Sequence, residues 1–500
     1  MFNFTLLISI VILLASPIII FFLGKWNEEI AKWSAFGFTI ISAIFFALTL
    51  GEVLNGTGHT ETWNWIDFTV NGKAISVDFS LVADNLSFPI AAIIFILSIA
   101  ALVYSFGYMK EAENKSAYYA LLVLYIAGMV GVVLAGDLIQ FYIFWELMLI
   151  PSYFIIAKWG SKPNSVKIAF KYFIFTHVGA MAILIGIGGL WAYGTTDGSF
   201  TLALLDMSSA PALIVRALTV LFLLGFMVKM AIFPIHSWLP DTHGEAPTPI
   251  SAILSGVMIE TAVYGIVRIC SSILGERGMG GWMSWVLIGL AVFTMIYGGI
   301  MALAQKDTKR LFAYSSISQM GYMLFGLGTF TLFGTVGSTF HIVSHALAKG
   351  SLFMVAGVLM TQIGHHKGRD LTKIKGLGLK MPITAIVALI AALSLAGTPP
   401  LAGFMSEWII FEGGLKLNNT LGIIAVVFAV LSTALTATYV LLFMKDVFLG
   451  PTQEEFEDVT DPSPSMWIPL AILAVLSFVV GLLPNSVLVF VTEAVKSIFP

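Results

Sequence analysis

Long apolar stretches separated by short polar segments are the dominant pattern of the chain. A bilayer core of about 30 Å is crossed by about 20 apolar residues in helical form. No ten-residue stretches of alternating polarity are evident, which disfavours membrane-spanning strands. Several runs exceed 20 residues, which allows a tilted or interrupted helix. The pattern predicts an all-α membrane protein with about fourteen transmembrane helices, at roughly 4–23, 32–50, 81–106, 117–135, 137–158, 168–193, 212–234, 248–274, 282–304, 311–329, 332–362, 382–413, 419–444 and 465–495.

Composition excludes several other classes of protein. Hydrophobic residues make up 58% of the 500 residues and charged residues only 11%, against about 25% charged in soluble domains. The net charge of −3 offers no basic surface for nucleic acid. The single cysteine, Cys270, excludes a disulfide framework and iron–sulfur ligation. The N-terminus has no basic segment and no small-residue cleavage pattern, so we interpret it as a retained first span.

Lysine and arginine are distributed unevenly between the two sides. Of the 25 basic residues, 17 fall in odd-numbered loops and 6 in even-numbered loops or the C-terminus. Because cytoplasmic loops carry the excess of positive charge, we expect odd loops in the cytoplasm and both termini outside. The longest segments between spans are loop-sized, so residues 1–500 are expected to form one polytopic membrane domain.

Two short sequence echoes indicate an internal repeat. Gly-Phe-Met precedes Lys229 in the seventh span and Glu407 in the twelfth, and each span carries helix-breaking prolines. A similar echo joins His177 in the sixth span to His345 in the eleventh. Both pairs are five spans apart, so the two copies enter the membrane in opposite directions. This favours inverted repeats with interrupted helices.

Several ionisable residues lie in the middle of apolar runs. They are Glu146, Lys229, Glu260, His341, His345, Lys349 and Glu407. Each such group costs about 2.5–3.5 kcal/mol at the bilayer centre and usually marks an ion or proton path. A single one is equally well explained by an interhelical hydrogen bond. A set with both signs of charge, spread over five spans, favours a path.

The residue types in this set suit proton relay. A lysine beside a carboxylate stays charged, and withdrawal of the carboxylate favours release of its proton. The Lys229–Glu146 distance is therefore expected to act as a switch. His341, His345 and Lys349 recur at i, i+4 and i+8, so they share one helix face. Histidines exchange protons near neutral pH with little adjustment.

Other candidate residues have more than one interpretation. His341 and His345 also have the spacing of a metal pair, but no glutamate follows as in HExxH and no third ligand is evident. His236 and His243 follow the seventh span and suit capping or proton entry. Asp84 stands at the start of the third span, where a helix cap or interface contact is expected. No motif for a bound cofactor occurs, so redox chemistry is expected in partner subunits.

The stretch from Phe233 to Ser251, FPIHSWLPDTHGEAPTPIS, closely resembles the signature of antiporter-like subunits of respiratory complex I. Relatives of these subunits occur in Mrp-type cation/proton antiporters and membrane-bound hydrogenases. Asp84-Asn85-Leu86-Ser87, Phe144-Trp145-Glu146 and Pro400-Leu401-Ala402-Gly403-Phe404 also resemble family motifs. The resemblance covers roughly residues 80–445, and the chain looks most like the M-type (chain 4) subunit.

This resemblance implies fourteen helices and a division of the chain. It implies N-terminal helices 1–3 at 1–116, inverted five-helix repeats at 117–274 and 282–447 with interrupted helices 7 and 12, and helix 14 at 465–495. Glu146 and Lys229 resemble the family's Glu–Lys pair, while His341, His345 and Lys349 resemble its central connection. Glu407 resembles the terminal ionisable group. His177, His236, His243 and Asp84 are accessory candidates.

The resemblance also implies a function and partners. It implies proton pumping within a complex I-like NADH (or other donor):quinone oxidoreductase of a prokaryotic cell membrane. FMN, iron–sulfur clusters and quinone are expected in partner subunits, which include further antiporter-like subunits in the same bilayer. The alternative is cation/proton exchange in an Mrp-type or hydrogenase-linked complex. Glu260 stands where the family usually has lysine, which either marks a divergent enzyme or lets a carboxylate relay protons equally well.

Overall fold

A computed structural model describes residues 4–70, 73–161, 163–195 and 198–499. Lys162, one of the lysines used to orient the loops, lies outside these ranges, as do the first three residues of the N-terminal segment. The described chain is mostly helical. Its helices and strands are α1 (Thr5–Trp26), α2 (Glu28–Ala47), α3 (Leu50–Leu54), β1 (His59–Val70), β2 (Lys73–Ala83), α4 (Ser87–Tyr108), α5 (Lys115–Leu134), α6 (Leu138–Trp159), α7 (Ser165–Gly194), α8 (Ala212–Lys229), α9 (Trp238–Glu245), α10 (Thr248–Ile253), α11 (Thr261–Gly265), α12 (Gly275–Met279), α13 (Trp282–Leu303), α14 (Thr308–Thr329), α15 (Leu332–Ile363), α16 (Pro382–Leu395), α17 (Ala402–Leu415), α18 (Thr420–Phe448), α19 (Pro464–Leu482) and α20 (Asn485–Lys496).

Twelve helices in the described ranges are long and apolar enough to cross a membrane. The chain is therefore a multi-pass integral membrane protein. The predicted tenth span corresponds to α14, which has 22 residues but carries a polar stretch that includes Ser315, Ser316 and Gln319. The predicted twelfth span is divided into α16 and α17, of 14 residues each. The count of fourteen crossings stays a prediction.

Two helices are interrupted near their middle. α8 ends at Lys229 and α9 begins at Trp238, and Ala231 between them has a positive φ of 55°. α16 ends at Leu395 and α17 begins at Ala402, with Gly397 at φ 64° between them. The proline-containing segments lack the N–H groups needed to continue a helix. Each interruption lies next to an ionisable residue that the sequence singled out.

Residues 248–279 form one continuous but irregular helix. The π-helical turns Leu254–Met258 and Ile266–Leu274 join α10, α11 and α12 into a unit of 32 residues, called here the joined helix. Glu260 lies at the junction between the first π-turn and α11. π-turns widen the backbone locally and recur at functional sites.

A two-stranded hairpin corrects the all-α prediction. β1 and β2 pair antiparallel, from His59 opposite Ala83 to Val70 opposite Lys73. Trp63, Trp65 and Phe68 give β1 the aromatic content that favours strands. The alternation is imperfect, and residues 71–72 lie outside the described ranges. Hydropathy alone predicts a loop here, because the strands are neither apolar nor long enough to register as a span.

α14 and α15 lie at the centre of the helical bundle. α15 is buried from Gly334 to Met360, and its neighbours include α14, α17, α16, α19 and α4. Every residue of α14 except Arg310 is buried. Polar side chains on these two helices therefore face protein rather than lipid, which removes most of the cost of placing them at membrane depth.

Candidate functional site

The central helix α15 carries three ionisable residues on one face. His341, His345 and Lys349 are each at most 2% exposed. The imidazole rings of His341 and His345 have centroids 5.9 Å apart and stack at 28°. The i, i+4, i+8 spacing inferred from the sequence therefore produces one row of groups through the bundle. The partners of each group come from other helices.

His341 connects α15 to α14 and α17. Its Nε2–H donates to Oε1 of Gln319 at 2.8 Å, and its Nδ1 lies 2.7 Å from Oγ of Ser406. Both ring nitrogens are therefore engaged, which holds the ring in one orientation. Ser406 directly precedes Glu407, so this contact links the central row to the interrupted helix of the second half.

His345 contacts Glu260, which lies on the joined helix. Nδ1 of His345 and Oε1 of Glu260 share a short hydrogen bond, and both side chains are almost completely buried. The second oxygen of Glu260 and Nε2 of His345 have no partner within the described chain. The pair connects the first half of the protein to the second and leaves one free atom on each residue for further proton exchange.

Lys349 is bound by polar groups of α14. Its Nζ donates to the carbonyl of Phe312 at 3.0 Å and also to Oγ of Ser315. Neither partner is a carboxylate. A buried amine held only by neutral acceptors loses the stabilisation that an ion pair gives to its charged form. Lys349 is therefore suited to release and rebind a proton.

Glu146 and Lys229, the residues of the predicted distance switch, form no ion pair in this structure. Oε2 of Glu146 instead lies 3.1 Å from Nδ1 of His177 on α7. Lys229 extends its Nζ over the ring of Trp145, 5.1 Å from the centroid, and has no hydrogen-bond partner among the described residues. The two members of the predicted switch are thus apart in this structure, and the carboxylate is held by a histidine.

Glu407 lies beside a lateral cavity in the second half. Thr433 Oγ1 donates to Oε2 of Glu407 at 3.3 Å, and the hydroxyl of Tyr322 lies 3.2 Å from the same threonine. A cavity of about 250 Å³ is lined by Glu407, Gly397 and Thr433. The ring of Tyr322 is also 6.4 Å from that of His341. Tyr322 and Thr433 therefore extend the central row toward Glu407.

The accessory candidates lie in three different places. His236 lies in the interruption after α8, where its Nε2 is 3.0 Å from the hydroxyl of Tyr297. His243 is completely buried and stacks on Phe353 at 4.6 Å. Asp84 accepts hydrogen bonds from the backbone at the start of α4. Asp84 is distant in the sequence from the central row, and its side chain pairs with Arg268 instead.

Asp84 is paired with Arg268 near the end of the joined helix. The guanidinium contacts both carboxylate oxygens, at 2.7 and 2.8 Å, and its Nε donates to the hydroxyl of Tyr264. Burial opposes ionisation of Asp84, but Arg268 and the hydrogen bonds from Ser87 outweigh it and hold the pKa at about 2. Bidentate pairs of this kind are the strongest ionic hydrogen bonds. The contact fixes the start of α4 against the joined helix.

Sequence reasoning missed the neutral residues that connect the ionisable ones. Gln319 and Ser406 both contact His341. The ring of Tyr322 lies near that of His341, and its hydroxyl contacts Thr433, which binds Glu407. The signal was the low apolar content of the tenth run, where Ser315, Ser316 and Gln319 interrupt a segment long enough to span. Polar residues in a span indicate a protein-facing surface, but they do not name their partners. In the described ranges no group of three or more His, Cys, Asp and Glu side chains suits a metal ion.

Comparison with known proteins identifies the chain's relatives. Residues 135–433 match the family described as NADH:quinone oxidoreductase/Mrp antiporter, and residues 65–119 match the N-terminal family of complex I chain 5. The chain is 32% identical to F(420)H(2) dehydrogenase subunit M of Methanosarcina mazei, over 91% of each protein. It is 30% identical to NADH-quinone oxidoreductase subunit M of Rickettsia prowazekii, over 90% of this chain and 88% of that subunit.

Cation antiporters and solved structures are similar as well. The chain is 33% identical to the A subunit of the Na(+)/H(+) antiporter of Alkalihalophilus pseudofirmus, of which it spans about three fifths (62%). A chain of the membrane-bound sulfane sulfur reductase, an archaeal respiratory membrane complex, superposes with a TM-score of 0.79 at 29% identity, covering 95% of this chain and 76% of that one. A chain of the Mrp complex of Dietzia sp. gives 0.84 at 27% identity, covering 98% and 51%.

Proposed function

Since the chain belongs to the NADH:quinone oxidoreductase/Mrp antiporter family, we propose that it is the M-type proton-translocating subunit of a complex I-like enzyme. Partner subunits oxidise NADH or another donor and reduce a quinone, and this chain moves protons in response. The observation that carries the proposal is the connected row of buried titratable side chains along α15, with Glu260 and Glu407 at its two sides.

The proposed path uses these residues in a defined order. Glu146, with His177, faces Lys229 in the first half. Glu260 and His345 connect the halves, and Lys349 and His341 complete the central row. From His341 the path runs through Gln319, Tyr322 and Thr433 to Glu407. His236 and His243 are accessory groups at the proposed entry of the first half.

The proposed topology has fourteen crossings and two inverted repeats. α14 and the interrupted α16–α17 unit supply the two crossings beyond the twelve long apolar helices. Interrupted α8–α9 and α16–α17 are proposed as equivalent elements of repeats at 117–274 and 282–447. The excess of basic residues in odd loops supports a cytoplasmic side there and outer termini, in a prokaryotic inner membrane.

The proposed partners are further antiporter-like subunits and the redox subunits that hold FMN, iron–sulfur clusters and quinone. The proposed electron donor is either NADH or another reduced carrier. The relative in Methanosarcina mazei is named for an F(420)H(2) dehydrogenase, so F(420)H(2) belongs among the donors to test. Each donor is tested by its oxidation in membranes that contain the complex.

Substitution of the first-half pair tests the proposal. Lys229→Ala and Glu146→Ala are expected to lower proton pumping strongly while donor oxidation continues and the complex still assembles. Pumping is measured in inside-out vesicles with a pH-sensitive dye, per donor oxidised. Val178→Ala, on an exposed face of α7, is the control. Wild-type pumping in both variants rejects the assigned roles.

Cation/proton exchange is the second candidate function. Sequence similarity to the A subunit of a Na(+)/H(+) antiporter favours this function. The carboxylate of Glu260, which contacts His345 of the central row, also favours it, since carboxylate oxygen binds hard cations well. If a sodium gradient drives outward proton release from vesicles that contain no electron donor, the result supports cation/proton exchange. Proton movement that requires donor oxidation and ignores sodium supports the redox-driven pump.

A further inference from the structure

A cavity of about 690 Å³ lies where several helices end on one side of the bundle. The C-terminal ends of α4, α6 and α15 and the loop before α19 surround it. Its lining includes Tyr108, Lys110, Trp159, His365 and Arg369. All the contributing loops belong to the basic, odd-numbered set, which places the cavity on the proposed cytoplasmic side.

The cavity has the character of a hydrated space. Polar and basic side chains from four elements line it, while Tyr108 and Trp159 form the aromatic part of its wall. His365 lies edge-on to the ring of Tyr108, with centroids 6.3 Å apart. Partial burial and the neighbouring basic side chains lower the pKa of His365. A mostly neutral imidazole at this position is able to accept a proton from solvent.

Hydroxyl groups continue inward from the cavity along the joined helix. Thr248, Ser251 and Ser255 follow one another at i+3 and i+4, so they lie on one face, and all three are completely buried. The hydroxyl of Thr248 donates to the hydroxyl of Tyr108 at 3.2 Å, and Tyr108 itself lines the cavity. The row therefore begins at the cavity wall.

These hydroxyls bond to other helices rather than to their own. Ser251 Oγ lies 3.5 Å from the carbonyl of His243, and Ser255 Oγ lies 2.6 Å from Oγ of Ser316 on α14. Serine and threonine in helices commonly bond to the carbonyl four residues earlier, as Thr219 does here. The hydroxyls of Thr248, Ser251 and Ser255 therefore line the contact between the joined helix and its neighbours, and this row of hydroxyls with Ser316 is called here the seam.

The seam ends at Lys349. Ser316 Oγ donates to the carbonyl of Phe312 at 2.9 Å, and the same carbonyl accepts from Nζ of Lys349 at 3.0 Å. Ser255, Ser316, Phe312 and Lys349 are thus joined by shared hydrogen-bonding groups. Both ends of the seam are defined, one at a solvent cavity and one at a titratable amine.

We propose that this cavity is the aqueous mouth of a proton path that runs along Thr248, Ser251, Ser255 and Ser316 to Lys349. The path rests on the proposed function and adds to it a second entry, separate from the interruption after α8. Each hydroxyl accepts a proton from the cavity side and passes its own inward, with water bridging the longer gaps, so no net charge stays on the seam. The carbonyl of Phe312 accepts from both Ser316 and Lys349 and cannot pass a proton, so the last transfer, from Ser316 to the neutral amine of Lys349, also goes through a bridging water.

Blocking the cavity tests the proposal in the assembled complex. In a Cys270→Ser background, Thr361→Cys places a thiol in the cavity lining, and Asp458→Cys places one on an exposed loop of the same side. A bulky, membrane-impermeant thiol reagent is added to inside-out and to right-side-out vesicles. We expect the thiol at position 361 to be labelled from the cytoplasmic side alone, with a several-fold loss of pumping per donor oxidised. Labelling at position 458 is expected to cause no loss.

A second set of variants tests the seam. Thr248→Val and Ser255→Ala each remove one relay hydroxyl, and we expect pumping to fall by about tenfold, equivalent to one lost hydrogen bond. Thr219→Val removes a buried hydroxyl that bonds only within α8 and is expected to pump normally. An unreactive thiol at position 361, unchanged pumping after its labelling, or normal pumping by both seam variants overturns the path.

The two proposals fail in distinguishable ways. If Lys229→Ala and Glu146→Ala lose pumping while the cavity and seam variants do not, the protein pumps protons through another entry. If the Lys229 and Glu146 variants also pump normally, the proposed function itself is wrong.

Discussion

His177 places its Nδ1 3.1 Å from Oε2 of Glu146, while Lys229 stays without a hydrogen-bond partner in the described chain, over the ring of Trp145. In this structure the carboxylate is therefore held by the histidine and not by the lysine. The echoed histidine of the second half, His345, also contacts a carboxylate, Glu260. The short sequence echo thus coincides with a repeated histidine–carboxylate contact.

Replacement of His177 tests its competition for Glu146. His177→Asn keeps a polar side chain but cannot become cationic, so Glu146 is expected to turn toward Lys229 and keep the lysine charged. We predict that pumping per donor oxidised falls by about tenfold, the rate equivalent of about 1.4 kcal/mol. Val178→Ala is the matched control on the same helix. Unchanged pumping in His177→Asn argues that the contact has no part in transport.

Replacement of Glu260 tests the connection between the halves. Glu260→Gln retains an oxygen that accepts from His345 but loses the ionisable group. We predict normal assembly and a loss of pumping of at least about tenfold. Thr261→Val is the control, because its hydroxyl contacts only non-titrating groups among the described residues, the carbonyl of Met258 and the sulfur of Met148. If Glu260→Gln retains wild-type pumping, the carboxylate supports the fold alone.

Replacement of Gln319 tests a neutral member of the path. Gln319→Leu keeps the side-chain size but removes the acceptor for Nε2 of His341, leaving a buried N–H unpaired. We predict a loss of stability of about 1–3 kcal/mol together with slower pumping. Ser318→Ala is the control, since its hydroxyl bonds to Met295 instead. Thermal unfolding in detergent and dye-based pumping are measured on the same preparations, and a stability loss without a pumping loss contradicts the assigned role.

Removal of Arg268 tests the ion pair with Asp84 that fixes the start of α4 against the joined helix. Arg268→Ala leaves the Asp84 carboxylate without its cation. The two side chains are 19% and 32% exposed, so we predict a loss of about 1–3 kcal/mol, between the values for exposed and fully buried pairs. Thermal unfolding of the purified complex measures it. Arg277→Ala is the control. It removes a hydrogen bond to the carbonyl of Met207, so it should lower the unfolding temperature without changing how that temperature depends on acid pH.

The Asp84–Arg268 ion pair also predicts that the stability of the folded protein depends on pH in the acid range. The pKa of Asp84 is lowered to about 2 in the folded protein from a usual value of 3.8. Its ionised form therefore stabilises the fold fully above the usual value, and this contribution is lost as the pH falls from about 4 toward 2. Asp84→Asn should remove that part of the acid sensitivity. An unchanged acid profile in Asp84→Asn would show that the carboxylate is not selectively stabilised.

Much of the architecture was determined by the sequence alone, because lipid imposes a local requirement. A segment that crosses the bilayer in contact with lipid must be apolar over its own length, so most of the long helices follow from single stretches of chain. Exceptions to that requirement, such as Lys229, Lys349 and Glu407, were visible as charges within apolar runs. Family membership, inferred from the Phe233–Ser251 signature, is confirmed by the comparisons.

Which groups meet depends on the packing of helices that are distant in the sequence. Glu146 contacts His177 rather than Lys229, and Glu260 contacts His345, 85 residues away along the chain. These choices depend on where helices cross and which way each side chain points, and neither is encoded in local hydropathy. The hairpin escaped prediction because pairing with a second strand stabilises it, and hydropathy does not register that partner. The tenth apolar run did predict α14, but the burial of its polar residues depends on the surrounding helices, which the rest of the fold supplies.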